Sequence, residues 1–297
     1  MLYERQKHLL ALVNAFGGET SGLDFQKLLL LYCLEVEESP SYEFVPYKFG
    51  GFSFTSYADK RCLIGKGLLA DENRIWKLTP EGKVVPITVS ILTAMSRFVK
   101  RHAGLHGDAL VAEVYRRHPY YAIRSEIAEQ LLAGDAVSLK AIAAARPSKG
   151  SSGLCTIGYE GRTLEGFLNA LIQDEVTVLC DVRQNPMSRK YGFSKSTLQK
   201  SCEGVGIRYE HLPELGIASE NRRGLKTRKD YDALFDAYTH ESLPKQLPVL
   251  KKIMSWIERS ERVALTCYER LPEHCHRTCV AMELERRFGK VCTPKDL

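Results

Sequence analysis

The regular alternation of strand and helix patterns after residue 153 is the feature that most constrains the fold of this chain. Short, mainly apolar runs occupy residues 154–159, 177–182, 207–212, 262–269 and 290–294. Segments with the apolar spacing of amphipathic helices separate these runs. Such alternation requires crossover connections, so it predicts a mostly parallel sheet with helices on both faces. The fold class expected for the C-terminal half is therefore α/β.

The first half of the sequence has a different pattern. Most segments before residue 145, including 122–134, place apolar residues at i, i+3 and i+4, which predicts a mainly α-helical region. The run ARPSKGSSG at 145–153 cannot cover a core face, and it marks a boundary. We therefore predict a domain over 1–90, a helical extension over 91–145, a linker over 146–153 and an α/β domain over 154–297.

Composition limits the partners of the chain. No run of about 18 apolar residues and no signal-peptide pattern occur, so we expect a cytoplasmic protein with no membrane partner. The odd number of cysteines, 9, does not suggest a disulfide framework. The charge of +6 suits a nucleic acid or a phosphate-bearing small molecule. Cofactor and oligomeric state are left unassigned.

Residues 57–83 resemble the recognition helix and wing of winged helix-turn-helix regulators. An amphipathic helix ending at Gly65 or Gly67 precedes Leu68 and Leu69, a polar turn at 71–73, the strand RIWKLT and the turn TPEG. The resemblance covers about the first 85 residues and implies contact with a nucleic-acid backbone. The cations expected to make this contact are Lys60, Arg61, Lys66, Arg74 and Lys77. A role in protein–protein contact is the alternative.

Two loops follow the first two predicted strands, at the edge of the sheet where α/β domains bind ligands. The first loop opens a helix, so its N–H groups could hold an anion; it comprises Gly158, Tyr159, Glu160, Gly161, Arg162 and Thr163. In the second, Asp181 and Arg183 point to the same side of a strand, either as a structural ion pair or converging on a ligand. Ser188 lies in a cationic stretch suited to phosphate.

The densest group of reactive residues follows the strand RVALTC. Cys275 and His276 are expected at a helix N-terminus, where the helix dipole lowers the pKa of a thiol. With Cys267 and Cys279 nearby, two chemistries fit the cluster, a thiolate nucleophile and a metal site. Because no paired CxxC spacing occurs, we assign no metal. In a third alternative the cysteines are buried and His276 with Arg277 binds an anion.

The runs TIGYEGRTLEGFL, VLCDVRQNPMSRKYGFSKSTL, YEHLPELG and ALTCYERLPEHCHR closely resemble the family named domain of unknown function 488, over about residues 154–290. The resemblance implies a compact Rossmann-like α/β domain whose motif residues gather at one end. The matching positions are Gly158, Glu160, Asp181, Arg183, Pro186, Ser188, Phe193, Ser194, Leu215, Gly216, Cys267, Glu269, Cys275, His276 and Arg277. The strand end at 181–183 also resembles rhodaneses, but the segment after Cys275 departs from their cysteine loop.

The leading hypothesis is an enzyme that acts on nucleic acid or a nucleotide, positioned by the N-terminal domain. In it Asp181 or Glu269 is the general acid or base, and Cys275 with His276 and Arg277 supplies the nucleophile or stabilises charge. The residues that would orient phosphate or ribose are those of the Gly158 loop together with Arg183. The alternatives are a ligand-sensing transcriptional regulator and an antiphage or toxin–antitoxin interaction protein.

Overall fold

The computed structural model describes residues 2–148, 152–222 and 224–297. The chain divides into two compact units, Met1–Arg146 and Pro147–Leu297. Residues 149–151 of the predicted linker lie outside the described residues. Within the part of the chain that is described, no helix is both long and apolar enough to cross a membrane.

The N-terminal unit combines helices with two small antiparallel sheets. Its elements are α1 (Glu4–Ala15), β1 (Glu19–Ser21), α2 (Gly22–Glu35), β2 (Val45–Tyr47), β3 (Gly50–Phe52), α3 (Phe54–Gly65), β4 (Leu69–Glu72), β5 (Ile75–Leu78), α4 (Pro80–Lys83), α5 (Val89–His102), α6 (Gly107–Arg117), a 3₁₀ helix (Pro119–Ala122), α7 (Ala128–Leu131) and α8 (Ala136–Ala144). One sheet has the order β1-β5-β4 and the other is the hairpin β2-β3.

Two details of this unit differ from the sequence prediction. The turn predicted at 71–73 lies at Asn73 and Arg74, which adopt φ of 53° and 66° and close a two-residue hairpin, so that residues 71 and 72 belong to β4. The helix predicted over 122–134 is limited to Ala128–Leu131. Ser125 explains its late start, since the Ser125 hydroxyl accepts the N–H of Ile127 and offers the backbone an alternative to helix.

The C-terminal unit contains the predicted parallel sheet. Its elements are β6 (Gly153–Gly158), α9 (Leu164–Gln173), β7 (Val178–Asp181), α10 (Lys195–Gly204), β8 (Arg208–His211), 3₁₀ helices (Pro213–Leu215 and Ser219–Arg222), α11 (Arg228–Ala237), a π-helical turn (Tyr238–Ser242), a 3₁₀ helix (Leu243–Gln246), α12 (Leu247–Glu258), β9 (Arg262–Cys267), a 3₁₀ helix (Pro272–His274), α13 (His276–Phe288), a 3₁₀ helix (Lys290–Cys292) and β10 (Lys295–Asp296). The strand predicted at 290–294 is wrong, because that segment begins with a 3₁₀ turn and pairing starts only at Lys295.

The five strands pair in the order β10-β6-β9-β7-β8, and all four pairings are parallel. Every residue of β6 and of β7 is buried, so both faces of the sheet are covered. One face packs on α12 and α13 through Val263 and Leu265 of β9 and through Ile253 and Leu284 of the two helices. The α/β class predicted for this half is therefore confirmed, with a purely parallel sheet.

Candidate functional site

The carboxyl ends of four strands meet along one edge of the parallel sheet. Gly158 at the end of β6 is in register with Cys267 at the end of β9. Asp181 at the end of β7 is in register with Thr266 of β9 and with His211 of β8. Most of the residues predicted for the site belong to the loops that leave this edge, which is where open α/β sheets bind ligands.

Gly158 permits the close approach of two of these loops. A Cβ atom at Gly158 would lie 1.9 Å from the carbonyl oxygen of Glu269, which no relaxed backbone tolerates. Arg277 holds the same segment, because its guanidinium donates to the carbonyl of Glu269 and, over 3.0 Å, to that of Arg270. The Arg277 side chain is fully buried, so it braces the loop rather than lining the surface as a phosphate ligand.

Asp181 and Arg183 form a buried ion pair. Arg183 Nε donates to Asp181 Oδ1 over 2.8 Å and its Nη2 donates to Oδ2, which also accepts a hydrogen bond from Tyr209 over 2.6 Å. Burial alone would lower the pKa of Arg183. The hydrogen bonds to Asp181 and the negative charge of Asp181 outweigh this effect and raise the pKa of Arg183 above its ordinary value. Asp181 is fully buried and both of its carboxylate oxygens accept hydrogen bonds from the protein, which argues against a role as the general base. Of the two interpretations left open by the sequence, the geometry favours the ion pair.

Arg183 also connects this ion pair to the loop after β6. Its Nη1 donates to the hydroxyl of Tyr159 and to the carbonyl of Phe193, each over 2.9 Å. The ring of Tyr159 stacks on that of Phe193, with the ring centres 4.3 Å apart. The wall of the site is therefore rigid, because one guanidinium fixes three chain segments.

Three backbone N–H groups of the Gly158 loop donate within the fold. The N–H groups of Tyr159 and Glu160 donate to the carbonyls of Cys267 and Tyr268, over 3.3 and 2.9 Å, and the N–H of Arg162 donates to Tyr159. The Arg162 guanidinium donates to the main-chain carbonyl of Leu297 over 2.6 Å. Gly161 adopts φ of 75° and shapes the turn. The N–H groups of Tyr159, Glu160 and Arg162 and the Arg162 guanidinium therefore serve the fold rather than a ligand.

Cys267, Cys275 and His276 form a compact buried cluster. One ligand-type atom from each lies within 4.8 Å of the others. Cys267 Sγ lies 3.5 Å from Nδ1 of His276 and 3.4 Å from a carboxylate oxygen of Glu269. The other ring nitrogen of His276, Nε2, lies 3.0 Å from the carbonyl oxygen of Val182. A carbonyl only accepts, so Nε2 carries a proton, and in the tautomer with its single proton there Nδ1 presents its lone pair to Cys267.

Cys275 is not the accessible nucleophile expected from the sequence. It is the N-cap residue of α13, but its side chain is only 1% exposed. Burial raises the pKa of the Cys275 thiol well above its usual range, and the hydrogen bond with Cys267 raises it further, while His276 opposes the shift. Burial therefore acts against the lowered thiol pKa expected at a helix N-terminus. Cys267 is buried to the same degree, 1% exposed, but it is among the residues that line a cavity at the carboxyl ends of the strands.

Three cavities of about 350, 750 and 470 Å³ follow this edge of the sheet. The central cavity, of 350 Å³, is lined by Arg183, Ser188, Cys267 and Glu269 among others. It shares Ser188 with the 750 Å³ cavity and Glu269 with the 470 Å³ cavity. We call the three together the strand-end groove. Glu160 lines its 470 Å³ part, so the predicted Glu160, Arg183 and Ser188 do share one groove, whereas Cys275 is sealed beneath it.

The groove combines cations with exposed aromatic and apolar side chains. The exposed cations among its lining residues are Arg189, Lys195, Lys226 and Arg228. Tyr268, 46% exposed, lines both the central and the 470 Å³ cavity, and Tyr231 and Met187 are also exposed. The negative charge of Glu160 raises the pKa of Tyr268. This lining suits an anionic ligand that also carries flat rings.

The cations predicted to bind nucleic acid in the N-terminal unit have different environments. Arg61, Lys66 and Arg74 are exposed. Lys60 is 6% exposed, pairs with Asp71 and lies 4.5 Å from the ring centre of Trp76, so its charge is used inside the unit. Lys77 pairs with Glu72 and Glu19 over 3.1 and 3.5 Å.

The sequence prediction did not include several of the groove residues. It named Cys267 as a family motif position and considered it for a metal site, but it did not assign Cys267 to the site, although the place of Cys267 as the last residue of a strand is a usable signal. Lys195 and Tyr268 follow the same strand-end rule, and Arg189 belongs to the cationic stretch that the sequence already indicated. Tyr209 carries no such signal, because only the packing of β8 beside β7 brings its hydroxyl to Asp181.

Comparison with known proteins bears on the family resemblance of the C-terminal unit. Neither a curated protein nor a solved structure matches the chain. A family model does match, and the matched segment lies within the C-terminal unit, extending from the N-cap of α9 into α13. The chain is thus similar over residues 163–284 to the family described as "Domain of unknown function DUF488".

Proposed function

We propose that this protein is an enzyme that acts on nucleic acid, with a nucleotide held in the strand-end groove. The observation that carries the proposal is the lining of the groove, in which exposed cations and aromatic rings surround Glu269 and Cys267. Cations that follow a phosphate backbone, with rings on which bases stack, are the general means of binding single strands. Glu269 and Cys267 line this groove, and the buried imidazole of His276 lies 3.5 Å from the Cys267 sulfur, which favours chemistry over binding alone.

Glu269 takes the role of general acid or base in this proposal. Its side chain lines both the central and the 470 Å³ cavity, and its carboxylate is within reach of Cys267. Arg277 and Gly158 together fix the backbone of Glu269, so the carboxylate is carried on a rigid segment. A positioned carboxylate of this kind contributes about 10²–10⁴-fold to rate. Asp181, which is occupied by Arg183, holds the wall of the groove instead.

The first test removes two exposed cations of the groove. The affinity for a single strand decreases as salt rises, and the magnitude of the slope of log affinity against log salt should fall by about 0.7 for each phosphate that the protein no longer neutralises. The double variant Arg189→Ala, Lys195→Ala should therefore lower that slope by about 1.4. Fluorescence anisotropy of a labelled single-stranded oligonucleotide across a salt series measures it.

The matched control removes the same charge elsewhere in the C-terminal unit. Lys200 on α10 and Lys251 on α12 are both exposed. The double variant Lys200→Ala, Lys251→Ala should retain the wild-type slope. Equal slopes for the two double variants would contradict a specific groove and indicate a diffuse charge effect.

For the N-terminal unit we propose a winged helix-turn-helix domain that contacts duplex DNA. The support is its topology, in which α1, β1, α2, α3, β4 and β5 follow one another and the sheet has the order β1-β5-β4. The hairpin β2-β3 is inserted between α2 and α3. In this arrangement α3 takes the place of the recognition helix and β4-β5 that of the wing. The exposed Arg74 then lies at the tip of the wing.

Arg74 provides the test of duplex contact. Replacing Arg74 with alanine should lower the slope of log affinity against log salt for duplex DNA by about 0.9, the value for one neutralised phosphate. Alanine and arginine both carry a Cβ and have a similar steric cost at the positive φ of this position, so the turn should be preserved. The exposed Lys140 of α8 is the control, and Lys140→Ala should leave the slope unchanged. An unchanged slope for Arg74→Ala would exclude the wing from the contact.

A further inference from the structure

We propose that Cys267, Cys275 and His276 bind one zinc ion, with a fourth coordination position open to the central cavity of the groove. Among the described residues this is the one group of three or more histidine, cysteine or acidic side chains whose ligand atoms converge in this way. Two thiolates and an imidazole are a donor set that selects zinc over harder cations. The inference does not rest on the proposed nucleic-acid function, because metal binding is measured without a substrate.

The distances fit tetrahedral coordination. Zn–S bonds of about 2.3 Å and Zn–N bonds of about 2.0–2.1 Å place sulfur and nitrogen about 3.5–3.6 Å apart at tetrahedral angles. Cys267 Sγ and His276 Nδ1 lie 3.5 Å apart. Two sulfurs on one zinc lie about 3.8 Å apart, and the Cys275 sulfur is within 4.8 Å of both other atoms. Only a small adjustment of rotamers is needed to close the cluster around an ion.

The orientation of His276 is a second, independent indication. Metal-binding histidines almost always donate their other ring N–H to a carbonyl or carboxylate, which fixes the tautomer and aims the lone pair. In this structure the carbonyl of Val182, just beyond the end of β7, accepts a hydrogen bond from Nε2 over 3.0 Å. The Nδ1 lone pair is thereby aimed at the two sulfurs, as a zinc ligand requires.

The open position follows from which ligands reach the groove. Both cysteines are 1% exposed, but Cys267 is a lining residue of the central cavity and Cys275 is not. Zinc sites with three protein ligands and one open position are the catalytic kind, and the ion lowers the pKa of a bound water to about 7. Glu269, 3.4 Å from Cys267, would take one proton from that water. The hydroxide would then form a bond to an electrophilic substrate atom, and the leaving group would depart with the bonding electrons and the proton from Glu269.

The test is the metal content and cobalt spectrum of the full chain. Purified protein is loaded with Zn²⁺ or Co²⁺ under reducing conditions and freed of excess metal. We expect one ion per chain, and for Co²⁺ the thiolate charge-transfer absorption of two Co–S bonds with tetrahedral d–d bands. Cys275→Ser should roughly halve the charge-transfer intensity or lose the ion, and His276→Gln should reduce metal retention by at least tenfold.

Cys279→Ser is the matched control, because Cys279 lies on the same helix four residues after Cys275 and outside the cluster. It should bind one ion with an unchanged spectrum, as should the groove variant Arg189→Ala, Lys195→Ala. Substoichiometric metal in the wild type, or a cobalt spectrum without Co–S bonds, would overturn the proposal, as would a Cys267–Cys275 disulfide in place of the ion. Since the wild-type spectrum counts the thiolates directly, the test holds even where a variant fails to fold.

Discussion

Replacing Asp181 with asparagine is expected to lower the free energy of unfolding of the C-terminal unit by about 3–5 kcal/mol. The Arg183 guanidinium would remain 7% exposed but without a counter-charge, and Tyr209 would lose its charged acceptor. An uncompensated buried charge is among the most destabilising single changes in a protein. Amide hydrogen exchange of peptides covering β7 measures this loss, because it reports on the C-terminal unit separately from the rest of the chain.

Asp232 provides the control for this prediction. It pairs with Arg228 over 2.9 Å, but both side chains are more than half exposed. Exposed ion pairs contribute about 0–1 kcal/mol, so Asp232→Asn, the same chemical change, should have little effect. Similar exchange rates in the two variants would show that the Asp181–Arg183 pair does not support the site.

Gly158→Ala is expected to have the second large effect. The added Cβ would meet the Glu269 carbonyl at 1.9 Å and the Arg270 Cα at 3.0 Å, so the backbone of the 267–277 loop must shift. Because the obstacle is backbone rather than a flexible side chain, we expect a loss of about 3 kcal/mol. We also expect Glu269 and Cys267 to be displaced, so zinc retention should fall together with stability.

The other end of the same strand offers a matched control. At Gly153 a Cβ would meet its nearest neighbours at 3.8 Å, which is ordinary van der Waals contact. Gly153→Ala should therefore change stability by less than about 0.5 kcal/mol. Thermal unfolding and metal content of the two variants make the comparison, and equal behaviour would contradict the steric role of Gly158.

The architecture of the C-terminal unit could be predicted because its signals are local. Buried parallel strands are short apolar runs, and four of the five predicted runs are strands within one or two residues at each end. The fifth prediction was wrong because the run at 290–294 is too short for periodicity to distinguish a strand from a 3₁₀ turn. In the N-terminal unit, the strands β1, β2 and β3 have three residues each, which is too few to show alternation.

The location of the site was predictable, but the roles of its residues were not. Strand-end loops identify Glu160, Arg183, Ser188 and Glu269 as neighbours without any knowledge of packing. Whether a charge is free or paired depends on its three-dimensional surroundings, which is why the sequence favours chemistry rather than bracing for Asp181 and Arg277. The same holds for Cys275, because a helix N-terminus visible in the sequence says nothing about the burial that raises its pKa.

The most direct test of the central claim is photo-crosslinking of a single-stranded oligonucleotide to the full chain, with the attached peptides mapped by mass spectrometry. If nucleic acid occupies the strand-end groove, crosslinks should fall on its exposed lining residues, Met187, Tyr231 and Tyr268, and should weaken in Arg189→Ala, Lys195→Ala. Crosslinks confined to residues 1–146, or absent from the peptides that contain these three residues, would contradict the account.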